Sequence, residues 1–473
     1  MRLKTPFVMA FMLVALGGCA TYHAQPISAR KSVAMFNGRS LESPGLRAFL
    51  EKNRVAAPTA GDAWNLKQLT LAAFYYQPAL SEARARLLAA QAAEITAGER
   101  PNPSISVSPS YDSGIPGNFS PWLVPVSFDW PIETAGKRGY RMAGAQHLAE
   151  EARWDLVSTV WRVRSEVRAA LLNLYAARQT ESLLARQQKA ERKVVRMLEG
   201  QFAAGTASSF EVTQARIALD TTTIARQAAA GRYLQARVAL SAALGVPLSA
   251  LDGVRLSFAS LESFPRRLTR PEVRRRALLD RADVRSALAD YAASQSELQL
   301  QIANQYPDVH LGPGYAWNNG NAGDSQWTLG VTLSLPILNQ NQGPIAEASA
   351  KRKLAAAHFL TVQTAAVSQI ESALAGYRSA LKEVATTERL LKNLQGKLAS
   401  VRAQVQAGEV EPLALANAEV AFNAGLQNRL DALIKAQQAL GLLEDAVQSP
   451  LTLSASRLSA SETPSTTNEE MKK

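Results

Sequence analysis

Two segments of this 473-residue chain, about 204 residues apart, each hold a pair of short stretches that alternate apolar with small or polar residues. In the first pair, Ile105, Val107, Pro109 and Tyr111 interleave with Ser104, Ser106, Ser108 and Ser110. Trp122, Val124, Val126, Phe128 and Trp130 then interleave with Leu123, Pro125, Ser127 and Asp129. The second pair sets Val309, Leu311, Pro313, Tyr315 and Trp317 against His310, Gly312, Gly314, Ala316 and Asn318. Trp327, Leu329, Val331, Leu333 and Leu335 alternate there with Gln326, Thr328, Gly330, Thr332 and Ser334. Period-two runs of about 9 to 11 residues with aromatics near their ends predict transmembrane β-strands. Four strands cannot close a barrel, and an open edge facing lipid leaves amides unpaired at several kcal/mol each. The barrel is therefore expected to be shared: about eight strands from two chains, or about twelve from three with a wider lumen. The small, polar second face favours the wider one. Half-buried hairpins of a soluble sandwich are the alternative, and Pro109, Pro125 and Pro313 trouble both readings because proline removes a ladder donor.

The amino terminus points outside the cytoplasm. Arg2 and Lys4 precede the apolar run Phe7 to Leu16, and Leu16-Gly17-Gly18-Cys19 follows. That order reads as a signal peptide over 1–18, too short for a membrane span. Cys19, the only cysteine, stands where a bacterial lipobox would be acylated, so a lipoprotein carrying palmitate-type chains is expected; a disulfide within the chain is excluded. No long apolar span follows the signal. The net charge of +12 comes from basic residues mixed with Glu, with Arg274-Arg275-Arg276 as one tight cluster. Such a distribution reads as a solvated surface rather than a nucleic-acid site.

Outside the strands the pattern is helical and long. Lys137 to Glu199 lacks proline, and Val160, Val163, Val167, Leu171 and Leu174 recur at three- and four-residue steps. At 1.5 Å per residue such a helix reaches roughly 90 Å. Pro344 to about Ala407 matches it, and the steps argue coiled-coil packing. Both helices run into glycine, at Gly205 and Gly408, and return helices are expected from Ser209 to Leu244 and from Pro412 to Val447. Pro103 and Pro307 differ by 204, Pro131 and Pro336 by 205, and Gly205 and Gly408 by 203, which marks an internal duplication. The expected division is an N-terminal lipidated segment over 19–66, a first repeat over 67–250 with its strand pair at 103–130, and a linker over 251–269. A second repeat over 270–450 carries the strand pair at 307–335, and a disordered tail takes up 451–473.

With the paired strands, the Trp130-Pro131-Ile132 and Leu335-Pro336-Ile337 exits and the two glycine turns in place, the chain resembles the TolC-type outer-membrane efflux family from about Asn65 to Pro450. The resemblance implies an α+β membrane protein: a homotrimer with a twelve-stranded outer-membrane β-barrel, continued by a long periplasmic α-helical barrel. The run Pro131 to Arg138, with Gln342 to Ala348 in the second half, looks most like the CzcC branch, which serves heavy-metal exporters of the resistance-nodulation-division (RND) type. The implied function is the outer-membrane channel of a tripartite system exporting metal cations, with multidrug export as the alternative. Implied partners are a periplasmic adaptor, an inner-membrane RND pump and outer-membrane lipid. In such a channel the two turns form the periplasmic tip. Gly205, Thr206, Phe210, Gly408, Glu409 and Leu413 are then the adaptor-docking candidates, and Glu211, Glu409 and Glu411 the candidates for a tunnel constriction.

No catalytic constellation is evident and no cofactor is expected. The histidines His23, His147, His310 and His358 lack ligand spacing, so no metal site is assigned to them. A porin or adhesin would have no use for duplicated helices, and a coiled-coil adaptor would lack the alternating strands.

Overall fold

The computed structural model describes residues 20–59, 61–111, 113–114, 122–265, 280–318 and 325–451. The expected signal peptide, Cys19, residues 266–279 and the tail from 452 lie outside the described residues.

The chain opens with two short helices, α1 (Ala29–Asn37) and α2 (Pro44–Lys52), followed by α3 (Leu66–Tyr76) and α4 (Pro78–Gly98). Asn65 starts α3 with a capping box: its side chain accepts from the Gln68 amide at 3.0 Å while its own amide donates to Gln68 Oε1 at 2.9 Å. Strands β1 (Ser104–Val107), β2 (Ser110–Tyr111) and β3 (Trp122–Ile132) lead into α5 (Lys137–Ala203) and its return helix α6 (Ser209–Leu244). The second half repeats the order with α7 (Ala282–Ala303), β4 (Val309–Asn318), β5 (Ser325–Leu333), α8 (Gln342–Gln406) and α9 (Pro412–Val447). At 67 residues α5 is about 100 Å long. Among the described residues no helix is long and apolar enough to cross a membrane.

The strands form one antiparallel sheet in the order β1, β3, β4, β5, with β2 also on β3. The continuous first strand read from the sequence is interrupted at Ser108 and Pro109. Its register nevertheless holds, since Val107 pairs with Val126 and Ser110 with Leu123. The cause is a missing donor: the Ser108 amide donates to the Pro125 carbonyl at 3.2 Å, and Pro125 has no N–H to return. Pro313 has the same effect further along. The β3–β4 ladder omits Phe128 and Asp129 opposite Pro313 and Gly312, while the β4–β5 ladder runs unbroken from Val309 to Trp317. The strand bounds also move: β3 continues to Ile132, β4 starts at Val309 rather than 307, and β5 ends at Leu333 rather than 335.

Below the sheet the helices lie side by side. Near the sheet the packing order is α4, α5, α7, α8; beyond α4 and α7 it becomes α6, α5, α9, α8. Thus α5 and α8 run the full length, and the shorter helices relay beside them. The main core lies where the relay occurs, with Leu69, Leu80, Leu171, Leu240 and Leu244 packed together and with Leu430 and Leu433 joining from α9. A fully buried leucine contributes about 1.5–3 kcal/mol relative to exposure. Ile370, Leu374, Tyr377, Leu440 and Leu443 form the counterpart between α8 and α9. A buried polar lock joins the halves: Glu444 accepts from Arg164 Nη2 at 3.1 Å and lies 3.5 Å from Arg168 Nε, while Arg168 donates to Gln437 at 2.9 Å.

The N-terminal segment and the described part of the linker are packed into this core. Leu46 and Leu50 of α2 are buried in it, and Arg39 donates to the carbonyls of Tyr76 at 3.0 Å and Gly245 at 2.6 Å. The linker carries two 3-10 turns whose Leu251 and Leu261 are buried, and Trp64 bridges to Leu256 in parallel.

Candidate channel wall and helical tip

The register puts every strand side chain on one of two faces. One face carries Ile105, Val107, Val124, Val126, Phe128, Trp130, Leu311, Tyr315, Trp317, Trp327, Leu329 and Val331. Its residues on β5 are open to the surroundings, with Trp327 78% and Leu329 74% exposed. Cross-strand aromatic pairs strengthen one end: Tyr111 meets Trp122 edge-on at 5.1 Å, and Tyr315 meets Trp327 at a tilt at 4.8 Å. Such a face, largely apolar and carrying aromatics toward its ends, suits contact with lipid.

The opposite face carries Ser104, Ser106, Ser127, Asp129, His310, Gly312, Gly314, Thr328 and Thr332. Gly314 is required by closeness, since a Cβ there would stand 2.5 Å from Thr328 Oγ1. An acidic and a basic side chain of the described strands, Asp129 and His310, both lie here. His310 Nδ1 is 3.0 Å from Asp129 Oδ1 and 3.1 Å from Oδ2. Reading histidines by sequence spacing missed this pair, because the partners are 181 residues apart and meet only through register. Among the described residues no group of three or more His, Cys, Asp or Glu side chains could hold a metal ion.

Where strands become helices, Asp308 accepts from Lys137 Nζ at 2.8 Å and from the Thr134 amide at 3.0 Å, and Thr134 Oγ1 donates to the Pro307 carbonyl at 2.7 Å. Burial pushes the Asp308 carboxyl up, but the Lys137 and Thr134 hydrogen bonds and the charges of Lys137 and His310 outweigh it and hold it below the usual range. Arg141 clasps Glu133 with both terminal nitrogens and reaches the Glu99 carbonyl at 3.3 Å.

At the far end, both long helices close in the same way. Gly205 and Gly408 have φ of 74° and 76°. The Thr206 amide donates to the Gln201 carbonyl and the Gly205 amide to Phe202, as Glu409 does to Gln404 and Gly408 to Val405. This is the left-handed double cap that favours glycine. No atom lies within 4 Å of a Cβ built on either glycine, so both turns sit on open surface.

The candidate residues divide on inspection. Phe210 is 70% exposed, and Gly205, Thr206, Gly408 and Glu409 are also at the surface. Leu413 differs: it is half-buried against Val194, Leu198, Val212 and Ala416, in the seam that joins the two hairpins. Of the constriction candidates, Glu211 is taken by its own helix, accepting from the Ser208 amide and hydroxyl at 2.8 Å each. Those bonds lower its pKa. Glu411 accepts from Gln201 Nε2 at 2.9 Å and so ties the two turns together. Lys193 and Glu419 add a second tie at 2.7 Å.

Comparison with known proteins places this architecture. The cobalt-zinc-cadmium resistance protein CzcC of Cupriavidus metallidurans is 25% identical over 213 residues, 45% of this chain and half of that protein's length. The pyoverdine export outer membrane protein OpmQ of Pseudomonas aeruginosa is 25% identical over 341 residues, 71% of this chain and 67% of that protein. Among solved structures, CusC, described in terms of folding and transmembrane channel formation, superposes with a TM-score of 0.65 at 19% identity, covering 81% of this chain and 91% of CusC. The sequence model of the outer membrane efflux protein family matches residues 73–246 and 273–447, one match for each repeat. With both repeats matched and the sheet and helical row in the expected order, the chain belongs to the outer membrane efflux protein family, whose members are channels rather than enzymes.

Proposed function

We propose that this protein is the outer-membrane channel of a tripartite efflux system and that its cargo is heavy-metal cations of the cobalt, zinc, cadmium or copper type. The observation that carries the reading is the unclosed sheet: one largely apolar face, one polar face and two outer edges, set on a row of helices of tunnel length. Three copies joined edge to edge bring the strands to twelve, leaving no edge to lipid and a water-filled lumen.

The helical row supports the same closure. Its margin helix α6 carries Phe210, Ile217, Ile224 and Val238, all exposed and spaced by multiples of seven residues. That spacing keeps them on one stripe, a surface suited to a partner helix. The other margin, α8, exposes Leu354, Leu360 and Leu390, so margin to margin contact between copies is head-to-tail and closes a ring.

In this reading the signal peptide is removed, Cys19 is acylated and anchors the chain to the outer membrane, and the repeats and linker keep the boundaries read from the sequence. The tip, with Gly205, Thr206, Phe210, Gly408 and Glu409, meets a periplasmic adaptor that links the channel to an inner-membrane RND pump. Glu409 and Glu411 narrow the tunnel and attract cations, with Glu211 beside them. Similarity to CzcC supports a metal cargo. Similarity to OpmQ over more of the chain favours a second reading, export of organic molecules including drugs.

The experiment is deletion of the gene, challenge with zinc, cobalt, cadmium and copper beside hydrophobic drugs, and complementation by wild type and by Cys19→Ser. Sensitivity confined to metals is expected. Sensitivity to drugs alone would transfer the channel to the second reading, and restored growth with Cys19→Ser would show that anchoring is dispensable.

A further inference from the structure

The polar face of the sheet holds a feature that a passive water-filled wall does not require. Asp129 and His310 are the one carboxylate and the one imidazole of the described strands, they lie on the same face, and they are bonded to each other. Neither is buried away: their side chains are 48% and 39% exposed. The surroundings are kept small, with Ser127, Gly312, Gly314 and Thr332 on the same face. Closer to the helices, Lys137 pairs with Asp308 at 2.8 Å, while among the described residues the basic side chain recorded against Asp129 is the His310 imidazole.

The geometry of the pair is specific. Nδ1 of His310 faces both oxygens of Asp129, at 3.0 and 3.1 Å, so the ring is oriented by the carboxylate and its Nε2 is directed elsewhere. A carboxylate that holds one imidazole nitrogen fixes the tautomer and raises the basicity of the other, the arrangement used by histidines that ligate transition metals. Imidazole suits zinc, copper, cobalt and nickel, whereas magnesium takes oxygen ligands and water. One imidazole and one nearby carboxylate per chain make a weak site, which is what a conduit needs if the ion is to leave again.

We propose that Asp129 and His310 form a cation transit site on the lumenal wall, in which the Asp129-oriented Nε2 of His310 makes transient contact with borderline divalent transition-metal cations and passes over hard ones. Three such sites would ring the lumen just outside the junction with the tunnel. The proposal rests on the reading of the polar face as lumenal and deepens the metal-cargo reading by naming the side chains that distinguish the ion class.

The test uses full-length protein in planar lipid bilayers, with potassium current measured as Zn²⁺ or Mg²⁺ is added alone. Wild type is expected to lose more current to Zn²⁺ than to Mg²⁺. His310→Gln should abolish the excess and leave the Mg²⁺ response unchanged, while Asp129→Asn should weaken both. A second readout does not depend on an open tip. In detergent-solubilised protein carrying isotope-labelled histidine, Co²⁺ should broaden the His310 signal, identified by its loss in His310→Gln, at lower concentration than the other histidine signals. Equal Zn²⁺ and Mg²⁺ responses in wild type, or a His310 signal that broadens no earlier than the rest, would overturn the proposal. A purely structural tie between β3 and β4 predicts that result, together with lowered thermal stability in both variants. Failure here alongside metal-sensitive deletion cells removes only this site. An intact Zn²⁺ excess alongside drug-only sensitivity would keep the site and remove the metal cargo.

Discussion

Lys137 Nζ stands 2.8 Å from Asp308 Oδ1 although 171 residues separate them. The contact pins the first turn of α5, the exit of the first strand pair, to the residue that leads into β4. The angle between sheet and helical row is thereby held by bonds between the two repeats, beside the Arg141–Glu133 pair within the first. Lys137 is 8% exposed and Asp308 34%.

Removing one partner of such a charged hydrogen bond costs about 1.5–3 kcal/mol, so Asp308→Asn should lower the unfolding midpoint in detergent clearly. The pH dependence follows from the direction of the shift. Asp308 in the folded protein titrates below its usual value, so its stabilisation is full above the unfolded carboxylate pKa of about 4 and is lost as pH falls through the lower folded value. Wild type should therefore lose more stability as pH falls below about 4 than Asp308→Asn does. Equal acid sensitivity of the two proteins would remove the junction pair from the account.

Glycine at two helix ends should tolerate change differently. Gly245 has φ of 72° and a Cβ there would stand 3.1 Å from the Tyr76 carbonyl oxygen; Gly408 has φ of 76° and open space. Gly408→Ala should cost only the left-handed backbone penalty of about 1–2 kcal/mol, while Gly245→Ala should cost more because α3 must shift as well. Thermal denaturation of the two variants side by side measures the difference. The Gln448 position, 203 residues after Gly245, bears the same conformation with φ of 48° and turns it to use, its Oε1 accepting from the Ala282 amide at 2.7 Å.

Much of this molecule is readable from one sequence because its information is periodic and doubled. Alternation fixed which strand residues share a face, and glycine spacing located Gly205 and Gly408 as helix ends. What periodicity could not convey is contact between repeats. The Asp129–His310 pair depends on strand register, and Leu413 looks like any tip residue until Val212 of α6 is placed against it. Break points also escaped, since Ser108 leaves the ladder on account of Pro125, a residue on the neighbouring strand. The short α1 and α2 and the linker lacked a repeat partner against which to be read, so their packing onto Tyr76 and Trp64 emerged only in three dimensions.

The stripe on α6 makes assembly testable apart from transport. Ile224 is 67% exposed and belongs to the run Ile217, Ile224, Val238. Ile224→Glu places a charge on a surface that the chain itself leaves open, so the protomer fold should hold within about 0.5 kcal/mol. The trimer should be lost or weakened, because the charge would be buried against the next copy. Native mass spectrometry in detergent reads the copy number directly. An intact trimer with this substitution would mean that α6 faces solvent or a different partner.

The glutamates of the tip lend themselves to a charge test in which the three positions are not equivalent. Glu409 is exposed, Glu411 is bonded to Gln201, and Glu211 is bonded to the Ser208 amide and hydroxyl. If they line the constriction, the Glu409→Gln, Glu411→Gln double variant should shift the reversal potential in a salt gradient away from cations. Glu211→Gln should leave α6 formed, because glutamine also completes a capping box, whereas Ser208→Ala should cost about 0.5–2 kcal/mol. The hydrogen bonds from Ser208 hold the Glu211 carboxyl below the usual glutamate range, so it keeps its charge as pH falls into the region where ordinary carboxylates take up protons. Cation preference in wild type should consequently persist further into acid than in Glu211→Gln. A reversal potential that ignores all three substitutions, at neutral and acid pH alike, would place these carboxylates outside the ion path and leave them as caps and ties of the helical tip.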